Sequence, residues 1–430
     1  MDELHDGMNG SGQDERKGDL LAKPRAAAAG VANAAAGAAQ AVAGAAQAAG
    51  DAAGRIFDGF GKDADAGEAT STVRDENGAY FVPDPILDIR EEREVAELTE
   101  RYEQLCEPGM IARAADRAVD VLPDVVKDLV KDTTDKLTQQ ELYARTMEVL
   151  AKGFDAVEKA AASVTVDGRA VVRQVNRVKG GERIERLDEI CLLRAYDVAA
   201  LAHRDNLQHT LSAFIEGGAT GAPGFAGIPF NIVLSTFVYY RAVQSIAMHY
   251  GYDVKSDPDE MVLAGQVLVS AFNPSDAGTG GAAEVIGKFM MMAELATVRQ
   301  VARRGWAAMV DHGGVCLLIA QLRALAHASA KKALENAGQR GLENSVFRSL
   351  FEQLGKRLAQ KSIDRAIPVV GGVIGALFDT GQMQKILEFA DLFYHKRFLV
   401  EKAVRIEELV DGVHEVIVIE DDGKVSYSVE

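Results

Sequence analysis

The sequence predicts a mainly all-α protein, a multi-helix bundle, and three features carry that prediction. Apolar residues recur at helical spacing through most of the stretch from Ile89 to Ile406, broken by short Gly- and Pro-containing turns. Helix-start signals stand where that spacing begins, as at Thr138 with Glu141 and at Asp257-Pro258. The strongest period-two alternation around a turn signal stands in the C-terminal tail, outside the helical stretch. Hydrophobic residues make up 48% of the 430 and aromatics only 6%, so the core must be mostly aliphatic and Ala-based.

Residues 1–79 read as an extension outside that bundle. Residues 1–25 are polar and expected to be disordered. Residues 26–54 hold 18 Ala and 5 Gly, with Gly30, Gly37 and Gly44 in a seven-residue echo beside Asn33, Gln40 and Gln47. Ala favours helix but offers little area to bury. The segment is therefore a semi-helical spacer or a weak amphipathic helix on a lipid surface or partner. Gly54–Asp75 is Gly- and Asp-rich linker. The helical domain, 80–406, begins near Tyr80-Phe81-Val82, whose apolar side chains would anchor the linker.

Helices are expected over Ile89–Leu105, Ala112–Lys131 and Thr138–Ser163, with Glu107-Pro108-Gly109 ending the first. Val164–Val178 alternates around Asp167-Gly168 and fits a short hairpin or more helix. Glu182–Glu216 reads as one long helix and Phe230–Tyr250 as a weakly charged one. Asp257-Pro258 opens the next, followed by Ala282–Arg304, Trp306–Asn336 and Leu342–Arg365. A final pair spans Pro368–Phe378, a Gly-rich apolar segment, and Gln382–Ile406. In 407–430, His414–Glu420 and Lys424–Val429 alternate around Asp422-Gly423, a hairpin that must pack on something to be stable.

Charge narrows the function. The chain carries 47 basic and 64 acidic residues, net −17, which argues against nucleic acid as a partner. Three scattered cysteines, Cys106, Cys191 and Cys316, make neither a disulfide framework nor a thiolate metal site and fit a cytoplasmic location. An acidic N-terminus with no apolar run behind it argues against secretion. No run is long and apolar enough to span a bilayer. The imbalance is uneven: residues 1–100 hold 20 acidic and 9 basic side chains, while 299–365 hold 12 basic and 5 acidic. That basic band leads into the apolar Ile367–Phe378 segment, a combination that an anionic membrane surface attracts. The same band also fits a set of solvated helix faces.

No HExxH, GxSxG, phosphate-loop or dinucleotide pattern is present, and none of the eight histidines has metal-ligand spacing, so no metal or cofactor is expected. Gly217–Gly224 (GGATGAPG) could cradle an anion with backbone N–H groups through Gly221 and Gly224, yet it lacks the Lys and Ser/Thr of a phosphate loop. Its other use is to let helices approach closely at Gly217 and Gly218. Arg241 stands alone in an otherwise uncharged run and needs an anionic partner if buried, for which Asp197 or Glu216 would serve. That pairing would be a structural ion pair or the polar end of a ligand site that includes Tyr250 and Asp253.

Two blocks carry a resemblance. Arg186–Asp253 runs from a helix with an internal Asp through EGGATG and a Gly-rich apolar turn to a helix with Arg241, closing on Tyr250-Gly251-Tyr252-Asp253. The second block reads AIPVVGGVIGALFD and, shortly after, FADLFYHKRFL. In this order they resemble the EcsC protein family of bacteria over roughly residues 90–405. The resemblance implies a mostly helical protein of poorly defined biochemistry, in a family named for an association with an ABC transporter gene cluster. It brings no established catalytic residues. The family pattern carries a carboxylate where this chain reads Ile228-Pro229-Phe230-Asn231 and an Asn where it has Asp379, so no ligand role is transferred to either position.

The expectation is a non-enzymatic cytoplasmic protein, peripheral on the inner face of the membrane or on a membrane transporter. Gly-rich helix-packing or membrane-facing residues (Gly217, Gly218, Pro368, Gly371, Gly372, Gly375 and Asp379) would carry that contact. A small-ligand binder or hydrolase-like enzyme with a polar pocket among Asp197, Glu216, Arg241 and the Tyr250–Asp253 turn is the competing reading. A scaffold that recruits partners through the Ala-rich arm and the hairpin is a third.

Overall fold

The computed structural model describes residues 71–106, 167–177, 182–202, 228–272, 281–292, 314–337, 343, 345–350, 352–354, 380–412, 415–419 and 425–429. The helices expected at 112–131 and 138–163, the Ala-rich segment and both Gly-rich segments, 217–227 and 368–378, lie outside them. The chain is mainly all-α.

The first element is a two-residue strand, β1 (Ser71–Thr72), paired in parallel with β2 (Glu182–Arg183). The anchor of this entry strap differs from the expected one. Val73 is buried, whereas Phe81 is 55% exposed and Val82 43%. Arg74 reaches the buried Glu189 carboxylate and stacks its guanidinium over the Tyr80 ring at 4.5 Å.

Helix α1 (Ile89–Cys106) starts on a capping box: Asp88 Oδ1 accepts from Glu91 N at 2.8 Å and Glu91 Oε2 accepts from Asp88 N at 3.1 Å. The open choice at Val164–Val178 resolves as helix, α2 (Gly168–Val175), with Asp167 capping Arg169 N. The long helix expected over Glu182–Glu216 is corrected. Strand β2 is followed by a 3₁₀ turn at Asp188–Leu192, and helix begins only at residue 195. The cause is competition for backbone N–H groups. Asn176 Oδ1 takes Ile184 N at 2.9 Å, and Glu189 Oε2 takes Glu185 N at 2.6 Å and Arg186 N at 3.1 Å.

Helices α3 (Ile228–His249) and α4 (Pro258–Ala271) follow, the latter with Pro258 in its first turn and Asp257 accepting from Asp259 N and Glu260 N. Helix α5 (Ala282–Met291) stops well short of Arg304, because Met292 turns extended at ψ 123° and the Met290 carbonyl accepts from Lys396 Nζ at 2.6 Å. Helix α6 (Gly314–Ala337), helical residues 345–350 and 352–354, and the 32-residue α7 (Thr380–Asp411) follow. Strands β3 (Glu415–Ile419) and β4 (Val425–Val429) pair antiparallel, with Glu415 opposite Val429; the expected turn at Asp422-Gly423 lies outside the described residues.

Helix α7 is the axis. It packs on α1, α3, α4 and the 3₁₀ turn, while α4 also packs on α3, α5 and α6. From Ile386 to Ile406 nearly every α7 residue is buried, Glu388 being exposed.

Candidate functional site

The feature that stands out is a seam of charged side chains buried along α7. Asp391, His395, Lys396, Arg397, Glu401, Lys402 and Arg405 lie within fifteen successive positions and are all buried. Burying a charge is costly unless it is paired, so each needs a partner from a neighbouring helix.

At the centre, Arg397 forks onto Glu260 of α4, with Nη1 and Nη2 each 2.6 Å from a carboxylate oxygen, and its Nε donates to Glu401 at 2.8 Å. Glu401 also accepts from Arg323 of α6 at 3.1 Å and from the Tyr252 hydroxyl at 3.2 Å. Burial pushes the Glu401 carboxyl up, but the Arg323 and Arg397 charges outweigh it and hold it down at about 2. Both Arg397, at 4.0 Å, and Arg405, at 4.4 Å, place their guanidinium groups over the Tyr252 ring.

Two cations of the seam cap other helices. Arg405 donates to the carbonyls of Tyr250 at 2.9 Å and Gly251 at 2.8 Å, just past the end of α3. A helix C-terminus leaves its last carbonyls without intrahelical donors and carries partial negative charge. Gly251 sits at φ +81°, where an added Cβ would lie 2.5 Å from Arg405 Nη2 and 2.7 Å from the Leu187 carbonyl, so only glycine fits. Lys396 serves the end of α5 in the same way, donating to Met290 O and to Thr99 Oγ1 at 2.7 Å. Its neighbours here are neutral acceptors, and burial brings its ammonium down to about 7 against a weaker opposing pull from Glu103. At the other end of the seam Lys402 donates to Glu91 Oε1 at 2.6 Å, and Glu91 further accepts from Arg194 and from Ala195 N.

The sequence-predicted residues fall into separate surroundings. Tyr250 is buried, its hydroxyl donating to Asp391 at 2.8 Å and its ring stacked on His395. Asp253 accepts from Lys255 N and Ser256 N, both at 3.0 Å, and so shapes the turn into α4. Arg241 is buried and has the anionic partner that burial requires, but that partner is Glu343; it also donates to Gln244 at 3.0 Å and lies over the Phe237 ring. Asp197 is exposed and is not its ion-pair partner. Glu216, Gly217, Gly218, Gly221, Gly224, Pro368, Gly371, Gly372, Gly375 and Asp379 lie outside the described residues.

Sequence reading missed Glu260, Arg397, Glu401 and Glu91. A signal was available in DLFYHKRFLVEKAVR, Asp391–Arg405, where charges stand on all sides of a helix that also carries Phe393, Tyr394, Phe398 and Leu399. A helix without a polar stripe must be enclosed, and its charges must then be paired.

Among the described residues, no three His, Cys, Asp or Glu side chains are grouped to hold a metal, and no helix is long and apolar enough to cross a membrane. The profile of the EcsC protein family matches residues 94–399, about seven tenths of the chain. No curated protein and no solved structure matches it.

Proposed function

The chain belongs to the EcsC protein family, and from that premise we propose that it is a non-enzymatic protein that associates peripherally with an anionic membrane surface. The observation that carries the proposal is the juxtaposition of the basic band 299–365 with the apolar, Gly-rich segment 368–378 in a chain of net charge −17. Part of the band is turned inward: Arg323 pairs with Glu401 and lies 3.9 Å from Glu408. Lys331 and Lys332 on the same helix are exposed, as an electrostatic contact requires.

The buried seam supports a non-enzymatic reading because its charged groups are engaged in joining and capping helices. Tyr250 bonds to Asp391 and Arg241 pairs with Glu343, although Arg241 Nε has no partner among the described residues, and these contacts favour the structural over the ligand-binding interpretation of the two residues.

Sedimentation with vesicles of increasing anionic lipid content tests the proposal. Binding should rise with anionic lipid and fall with salt. Gly371→Leu combined with Gly375→Leu, its fold checked by circular dichroism, should weaken binding at least tenfold. Absence of wild-type binding at low salt would overturn intrinsic lipid association and turn attention to a membrane transporter as partner.

A further inference from the structure

A cleft of about 270 Å³ opens between α4, α6 and helical residues 345–350 and 352–354. Its apolar side comes from Val262, Val346 and Leu350, each no more than 5% exposed. Its polar side presents Ser329, Lys332 and Ser349. The wall opposite α4 is held in place from behind. Arg241 pairs with Glu343, and the Phe347 ring packs edge-on to Phe237 at 5.4 Å and stacks with Tyr240 at 6.1 Å. Ser345 Oγ donates to the Ala333 carbonyl at 3.2 Å, tying that wall to α6. Gly265 lets the wall approach, since a Cβ there would already stand 3.1 Å from Leu350 Cδ1. The cleft is thus preformed by packed elements.

Its chemistry is one-sided. Among the described lining residues the polar groups are hydroxyls, amides and one ammonium, with no carboxylate. Lys332 makes no ion pair among the described residues. Gln353 Nε2 donates to Ser349 Oγ at 3.4 Å, which leaves the Ser349 proton available to an incoming acceptor. An unpaired cation beside a hydroxyl selects a negatively charged oxygen, and the apolar side selects a hydrocarbon next to it.

We propose that this cleft binds a small amphipathic anion: a carboxylate or phosphate head at Lys332 and Ser349, with a short alkyl chain along Val262, Val346 and Leu350. The head can belong to a free acyl anion or to a membrane lipid. The site does not depend on the membrane proposal, because a monomeric ligand tests it without a bilayer.

The full-length protein is titrated with octanoate, with octyl phosphate and with octyltrimethylammonium as a cationic control, all below their aggregation concentrations. Both anions should bind at least tenfold more tightly than the cation. Lys332→Glu, at an exposed position, should weaken octanoate at least tenfold and reverse the preference. Ser349→Phe should weaken all three by filling the space. Competition of octanoate by phosphatidylglycerol vesicles assigns the head to lipid, and its absence assigns it to a soluble acyl anion; either supports the site. Equal binding of octanoate and octyltrimethylammonium, or unchanged octanoate affinity in Lys332→Glu, overturns it. Absent wild-type vesicle binding with octanoate binding intact is a failure of the membrane proposal alone, and vesicle binding without selective octanoate binding is a failure of this site alone.

Discussion

Lys396 holds an ammonium where water does not reach, against two neutral oxygens and the Phe289 ring, whose centroid is 5.6 Å away. The dipole at the end of α5 favours its charge, but burial acts more strongly and brings it to about 7. The unfolded chain keeps an ordinary lysine near 10.4. Between those values the unfolded state binds more protons than the folded one, so this residue makes stability rise with pH from about 7 to about 10. A span of about three pH units at 1.36 kcal/mol each gives a change of about 4 kcal/mol. Lys396→Met removes the titration and keeps the chain length. The variant should be more stable than wild type at pH 7, and the gap should close by about 4 kcal/mol toward pH 10. Urea unfolding at the two pH values measures it, and a gap that does not change with pH would refute the assignment.

At the scale of elements, α7 joins its neighbours through buried charges of both signs as well as through apolar side chains. Glu91 is the clearest junction: it completes the α1 capping box and receives Lys402, Arg194 and the first N–H of the next helical stretch. Removing one member of such a buried group leaves the others charged and without a partner, which costs about 3–5 kcal/mol. Glu91→Leu and Lys402→Met should each destabilise by that order. Together they should cost clearly less than the sum, since the double variant removes both buried charges. Additive losses in a double-mutant cycle would show that the two side chains do not interact.

For the whole molecule, the strap at residues 71–82 is tied to the helices by a buried apolar side chain and an ion pair. Val73 is buried, and Arg74 meets the Glu189 carboxylate, which is itself fully buried. The backbone N–H groups of Glu185 and Arg186, with Arg74, hold that carboxyl below its usual range although burial pushes the other way. A chain starting at Ser71 should therefore be more stable than one starting at Pro83 by about 3 kcal/mol, the cost of stranding a buried carboxylate and losing Val73. Thermal melts of the two truncations check this, and equal melting temperatures would show that the strap adds nothing.

The fold class, the span of α1 and the start of α4 can be read from the order of residues alone, because periodicity and caps are local. The need of Arg241 for an anion is legible in the same way, because an isolated charge in an apolar run has few alternatives. That the anion is Glu343, that Glu182–Leu192 leaves the helix, and that α5 ends at Met291 became visible only in three dimensions. Each of these depends, in part or in whole, on a polar group outside the segment concerned: Glu343, Asn176 and Lys396. Asn176 and Glu189 take N–H groups from the would-be helix, and Lys396 takes the carbonyl of Met290 from 106 residues away. Local propensity does not register such a competitor, so partner choice and helix ends were settled by packing.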